Sequence, residues 1–173
     1  MAHSDQVNDI AKYRKGWTGG LPETPCGYGS KLGATQIQRE VIPLWMHYYD
    51  IQTIADIGAG DLNWVKHIKW IDEPVIHHYD LVPRHRDVEP LDLLADDLPH
   101  ADCIWLLWVL NHFPEEQMRQ GLEKVLSSGC KYLLMTYESR LPDFMDLDCV
   151  EEVQLRPPKP GVNTGFLMRL IKC

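Results

Sequence analysis

The sequence predicts one open, doubly wound α/β sheet, mostly parallel, with an antiparallel C-terminal hairpin. Three observations predict it. The short apolar run Thr53-Ile54-Ala55-Asp56-Ile57-Gly58 leads into a glycine turn, the pattern of a strand buried on both faces. Runs of strand length then alternate with stretches of helical periodicity. Finally, two strand-like runs flank a connection rich in proline and glycine. At 173 residues one domain is the default, and such a chain can bury a core without metals or disulfides. The apolar fraction of 45% and charged fraction of 24% are those of a globular protein.

Residues 1–34 carry Gly16, Gly19, Gly20, Pro22, Pro25, Gly27, Gly29 and Gly33. They predict an arm, with a short helix around Val7–Tyr13, rather than core. Trp17, Tyr28, Ser30 and Lys31 suggest a lid on the domain formed by residues 35–173. Thr35 is the expected N-cap of a helix whose apolar face is Ile37, Val41, Leu44, Trp45 and Tyr48, with a kink at Pro43. After the 53–58 strand, Leu62–Trp70 is expected to be helical. Strands follow at Val75–Val82, Val88–Leu93 and Cys103–Val109. Pro114–Leu126 predicts a helix with Pro114 in its first turn and Met118, Leu122, Val125 and Leu126 on one face. Lys131–Tyr137 is the fifth strand, and 150–155 and 166–172 are the hairpin, joined by Pro157–Gly165.

Composition excludes several classes. The net charge of −8 disfavours a broad nucleic-acid groove, although Arg84, His85 and Arg86 form a small basic patch. The 5 cysteines are scattered, with no Cys-x-x-Cys pair, which argues against a disulfide scaffold or a zinc site and fits a reducing cytoplasm. His77 and His78 adjoin on a strand, point to opposite faces and cannot chelate one metal together; no metal site is expected. The polar start Met-Ala-His-Ser-Asp-Gln predicts no secretory leader, and no run approaches the roughly 18 apolar residues of a membrane helix.

The chemistry centres on Asp56-Ile57-Gly58-Ala59-Gly60-Asp61. Gly58 and Gly60 permit a tight turn and leave room for a ligand where a Cβ would stand. Asp80 ends the next strand, where an acid can accept both hydroxyls of a ribose. Two cofactor classes use this layout. A dinucleotide wants a small residue at the sixth position of Gly-x-Gly-x-x-Gly/Ala; here that residue is Asn63, followed by Trp64. Asp61 would also set negative charge where a pyrophosphate must sit. S-adenosyl-L-methionine brings no phosphate but a sulfonium and an ammonium, which Asp56 and Asp61 suit. The blander reading is a purely structural glycine turn.

These residues carry a resemblance. Ile54-Ala55-Asp56-Ile57-Gly58-Ala59-Gly60, then Tyr79-Asp80-Leu81, then Ala101-Asp102-Cys103-Ile104 leading into Val109-Leu110-Asn111-His112-Phe113, resembles the class I S-adenosylmethionine-dependent methyltransferases. More narrowly, the chain is similar to small bacterial and phage members that share Gly-x-Gly-Ser-x-Leu-x-x-Thr, matched at Gly27–Thr35, and Asp-x-Asn-Trp, matched at Asp61–Trp64. Ser127–Leu134 resembles their last parallel strand. The resemblance covers roughly residues 27–137 and implies a Rossmann-like seven-stranded sheet. It implies that Asp56, Gly58 and Gly60 line the methionine end, that Asp80 holds the ribose, that Leu81 packs on the adenine and that Asp92 accepts its amino group. Relatives often carry Cys-Arg-Asp before Val-Leu-x-His; here Leu106-Leu107-Trp108 stands instead.

The remaining candidates each have two readings. His112, with Asn111 beside it, is either a general base or a helix-entry residue bonded to backbone. Trp108 is either cofactor wall or core. Ser30, Lys31 and Thr35 either close over the cofactor carboxylate or form an exposed loop. Pro25-Cys26 precedes the first strand, whereas the nucleophile of cytosine C5 enzymes follows the fourth. The expectation is methyl transfer from S-adenosyl-L-methionine to an unidentified acceptor, a small molecule rather than nucleic acid, by a monomer or a homodimer. The alternative is a protein that binds the same cofactor without transferring its methyl group.

Overall fold

The computed structural model describes residues 22–138, 147–156 and 166–173; the expected Val7–Tyr13 helix and the Pro157–Gly165 connection lie outside them. Seven strands form one sheet: β1 (Thr53–Ile57), β2 (Val75–Asp80), β3 (Val88–Pro90), β4 (Cys103–Leu106), β5 (Tyr132–Glu138), β6 (Asp148–Arg156) and β7 (Phe166–Lys172). Their order is β3-β2-β1-β4-β5-β7-β6. The first five pair in parallel, while β7 runs antiparallel to both β5 and β6.

Helix α1 (Gln36–Tyr48) covers one face and α2 (Glu115–Leu126) the other. The strands serve both layers by period-two alternation. Ala55, Ile57, Ile104, Leu106, Leu133 and Met135 pack with Leu122 and Val125 of α2. Ile54, Cys103, Trp105 and Leu134 pack with Ile42, Trp45 and Met46 of α1. Residues Ile54–Ile57 and Cys103–Leu106 are therefore buried on both sides, which is why each read as a continuous apolar run. Pro43 stays inside α1 without ending it. A mid-helix proline costs about 3 kcal/mol. Burial of Ile42, Trp45 and Met46, at about 1.5–3 kcal/mol each, outweighs that.

Several local expectations need correction. Leu62–Trp70 is not an α-helix; only a 3₁₀ turn forms, Val65–His67. Gly60 and Leu62 both take left-handed φ, +63° and +57°, so the residues that would begin the helix turn the wrong way. The bonds that follow, His67 N to Trp64 O and Ile68 N to Val65 O, have the tighter three-residue spacing. Pro114 precedes α2 as its N-cap instead of lying in the first turn. Thr35 does stand at the N-cap of α1, with its carbonyl accepting from Arg39 N at 3.0 Å, but its hydroxyl bonds back to Lys31 O at 2.9 Å and caps no helix amide. The fourth strand ends at Leu106, leaving Leu107–Val109 as an irregular exit.

Candidate functional site

The carboxyl ends of β1, β2 and β4 meet at one edge, and the glycine turn leaves β1 there. Gly58 N and Ala59 N both donate to Tyr79 O, at 2.7 and 2.9 Å. Gly60 N donates to Asp80 Oδ2 at 2.9 Å, and Val82 N donates to Asp80 Oδ1 at 2.9 Å. Asp80, the last residue of β2, is thus fixed by the turn it was expected to complement. Each carboxylate oxygen can accept about two bonds, so each keeps an acceptor site after its backbone donor. Asp80 is only 3% exposed. Burial raises its carboxyl above the ordinary range; the Val82 and Gly60 amides pull it down, nearby Asp56 pushes it up and Arg84 pulls it down.

Gly58 has φ +87°, and a Cβ built there would stand 2.3 Å from Val109 Cγ2. A Cβ on Gly60, φ +63°, would stand 3.0 Å from Cys26 Sγ. Both positions demand glycine for close approach, and the neighbours they approach are protein: the exit of β4 and the N-terminal arm. Sequence reading missed Val109 and Cys26 as neighbours of the turn, because nothing in local pattern links residues so far apart in the chain.

Asp56, also 3% exposed, lies beside His78 in the β1–β2 register, and His78 Nδ1 is 2.9 Å from Asp56 Oδ2. His77 alternates to the other face and is exposed. Asp61 Oδ2 accepts from Thr24 Oγ1 at 2.8 Å, and its Oδ1 accepts from Asn63 N at 3.2 Å. Leu81 is half-buried just beyond β2. Asp92 lies just past β3; its Oδ1 accepts from Leu94 N at 3.0 Å and its amide donates to Asp96 Oδ2 at 2.8 Å. Asp56, Gly58, Gly60, Asp61, Asp80, Leu81 and Asp92 therefore all stand at or just beyond the carboxyl ends of β1, β2 and β3.

The exit of β4 is the strained part. Trp108 has φ +62°, a left-handed conformation that costs a bulky residue about 1–2 kcal/mol. Its amide donates to Thr136 Oγ1 at 2.6 Å, and its ring lies 4.8 Å from that of Phe166. A Cβ on Gly29 would stand 2.9 Å from Trp108 Cγ. Gln38, its amide oriented to satisfy both ends, accepts from Trp108 Nε1 at 3.1 Å and donates to Ala34 O at 3.3 Å. Asn111 and His112 follow in a 3₁₀ turn, Leu110–His112; His112 is exposed, and its Nε2 is 3.4 Å from Asn111 Nδ2. Two surface cavities, about 400 and 280 Å³, open elsewhere, beside Arg39 and Leu44 and beside Trp70 and His78. Neither is lined by Gly58, Gly60, Asp80 or Asp92.

No family model matches the sequence. A curated relative, GTPase Era of Thermoanaerobacter sp. (strain X514), is 26% identical over 98 residues; the match covers 55% of this chain and 32% of that protein, so the chain spans about a third of its length. The present chain has no Gly-Lys pair and hence no Gly-x-x-x-x-Gly-Lys-Ser/Thr phosphate loop. Solved structures agree over far more of the chain. Magnesium protoporphyrin IX methyltransferase (ChlM) from Synechocystis PCC 6803, with bound SAM, superposes with a TM-score of 0.61 at 11% identity, covering 98% of this chain and 94% of that one. The N-methyltransferase NodS from Bradyrhizobium japonicum WM9, in complex with S-adenosyl-L-homocysteine, gives 0.55 at 14%, covering 99% and 98%. The methyltransferase domain of bacterial CtHen1 gives 0.60 at 9%, covering 81% and 100%. Sheet order, the antiparallel β7 and these superpositions together show that the chain has the Rossmann-like fold of the class I S-adenosylmethionine-dependent methyltransferases.

Proposed function

We propose that this protein is a methyltransferase that uses S-adenosyl-L-methionine. One observation carries the reading: in a sheet of this order, the acid ending β2 is bonded to the amide of the second glycine of the turn after β1. The residues fit the cofactor. Asp80 keeps two acceptor positions for a ribose diol, and a turn with acids on both sides suits cations better than a pyrophosphate. Asp56, Gly58, Gly60 and Asp61 would hold the methionine end, with Leu81 and Asp92 at the adenine. When bound, the cofactor supplies an electrophilic methyl group on a sulfonium. The chain's own task is then to align the acceptor and exclude water. His112, exposed beside Asn111 at the exit of β4, is the candidate to take a proton from the acceptor. Residues 1–34 act as a lid on the 35–173 domain, with Trp108 forming the wall between them.

The acceptor is proposed to be a small molecule, because the net charge of −8 opposes a polyphosphate backbone. Scattered cysteines, with free thiols at Cys103, Cys130, Cys149 and Cys173, suit a reducing compartment such as the cytoplasm. Among the described residues no helix is long and apolar enough to cross a membrane. Native mass spectrometry of the purified protein, with calorimetry, tests the cofactor. Retained adenosylmethionine or adenosylhomocysteine, or micromolar binding of either, is the expected result; a retained nicotinamide dinucleotide, or no binding of either, overturns it. A second reading, cofactor binding without transfer, is favoured by Leu106-Leu107-Trp108, a stretch with no charged side chain where the chain leaves β4. Adenosylhomocysteine formation with added candidate acceptors separates the two.

A further inference from the structure

We infer that Glu23 and Asn63 form a clasp that holds residues 23–34 on the glycine turn, and that Trp108 is the seat on which this segment rests. Glu23 Oε1 accepts from Leu32 N at 2.7 Å and from Asn63 Nδ2 at 3.1 Å. The same Asn63 amide donates to Ser30 O at 2.9 Å. Its two N–H groups are thereby spent on two points of one strap. One turn earlier, Thr24 is 1% exposed; its hydroxyl donates to Asp61 Oδ2 and accepts from Cys26 N at 3.0 Å. Cys26 in turn abuts Gly60. Two stretches that the sequence offered separately, Gly27–Thr35 and Asp61–Trp64, are therefore the two halves of one device.

Trp108 completes it. Gly29 lies against the indole so closely that any side chain there would displace the ring, Gln38 of α1 holds the indole N–H, and Phe166 covers it from β7. A tryptophan held at φ +62° by groups from the arm, α1, β5 and β7 is over-determined, the condition under which backbone strain persists. This accounts for the bulky apolar stretch Leu106-Leu107-Trp108 where the chain leaves β4. That position seats the strap, so polar contacts to an acceptor come from the strap itself and from the His112 turn. Glu23, Asn63 and Trp108 are positioning residues on this account. The effect on the acceptor rests on the methyltransferase reading; the clasp does not.

The free full-length protein tests the clasp without any cofactor. Hydrogen exchange is followed at residues 23–34 in the wild type and in Glu23→Ala, Asn63→Ala and Glu23→Gln. The two alanine variants should speed exchange at the Leu32 amide tenfold or more, while Glu23→Gln, which keeps an acceptor oxygen, should stay within about threefold of wild type. Gly29→Val should unseat the same segment from the other side. The thermal midpoint, read in parallel, shows that each variant is folded. Wild-type exchange at the unprotected rate, or alanine variants as protected as wild type, overturns the clasp. Adenosylhomocysteine titration then forms a separate arm. Loss of the ligand's added protection in the alanine variants supports the positioning role. A loosened strap in a protein that binds no adenosylhomocysteine even as wild type supports the clasp and sinks the cofactor reading alone.

Discussion

Asp80 and Asp102 stand at opposite edges of the sheet and are tuned in opposite directions. Asp102, just before β4, accepts from Gln52 N at 3.1 Å, Thr53 N at 3.0 Å and Thr53 Oγ1 at 3.0 Å, and pairs with Lys131 Nζ at 2.8 Å. Lys131 above all, helped by the Thr53 and Gln52 donors, holds its carboxyl down at about 2 against the cost of burial. Asp80, at the end of β2, has two backbone donors, and burial raises it more than those donors and the charge of Arg84 lower it. A carboxylate whose donors outweigh its desolvation is a fold element. One kept buried with acceptor capacity to spare marks a place where a ligand can improve on the protein alone.

The largest effect should fall on Asp80. Asp80→Ala removes a charged acceptor from the proposed ribose site, worth about 1.5–3 kcal/mol, so adenosylhomocysteine should bind roughly ten- to hundredfold more weakly by calorimetry. The pH dependence has its own sign. A raised carboxyl binds its proton more tightly when folded, so its contribution to stability is full below the unfolded value and is lost as pH rises through the folded one. Asp80→Ala should erase that loss. Unchanged affinity in a folded Asp80→Ala protein would remove the distinction between the two acids.

Asp102→Ala should do the reverse: affinity within about twofold of wild type, and stability lower by about 2 kcal/mol, because two backbone amides and a hydroxyl lose their acceptor. In a domain of this size that is a drop of about 4–8 °C in thermal midpoint. The lowered carboxyl gives stability that is present above the ordinary value near 3.8 and is lost as pH falls toward about 2. The difference in urea midpoint between wild type and Asp102→Ala should therefore be constant from pH 5 to 7 and shrink below about pH 4. A difference that grows on acidification would reverse the assignment.

Much of the glycine edge was legible in the sequence, because its spacing is a local consequence of strand, turn and strand. The twenty residues between Gly60 and Asp80 became a hydrogen bond. The apolar runs at Ile54–Ile57 and Cys103–Leu106 became the two doubly buried strands. What failed was decided by tertiary contact. The expected Leu62–Trp70 helix is lost to left-handed φ at Gly60 and Leu62, where Thr24 and Cys26 of the arm crowd the turn. Gly58 was legible as a glycine, but the reason is partly Val109: a branched side chain there would strike Val109 Cγ2, so Gly58→Val disturbs the fold as well as any ligand. Trp108 left two readings open, and only the packing of Gly29, Gln38 and Phe166 around it shows how it is held.

The smallest effect sharpens the comparison most. Lys131 does most to lower the Asp102 carboxyl, yet its side chain is 69% exposed while that of Asp102 is 17% exposed. An exposed ammonium gives up little by pairing, because water and salt screen it, and such pairs are typically worth under about 1 kcal/mol. The Gln52 and Thr53 donors lie along the start of β1 and cannot leave without opening the strand. Lys131→Met should therefore shift the thermal midpoint by no more than about 2 °C, and the shift should fade in 1 M salt. The Asp102→Ala loss should persist in the same salt. If Lys131→Met instead costs as much as Asp102→Ala, the ion pair and not the backbone donors fastens the amino edge, and Asp102 depends on a cation more than Asp80 depends on Arg84.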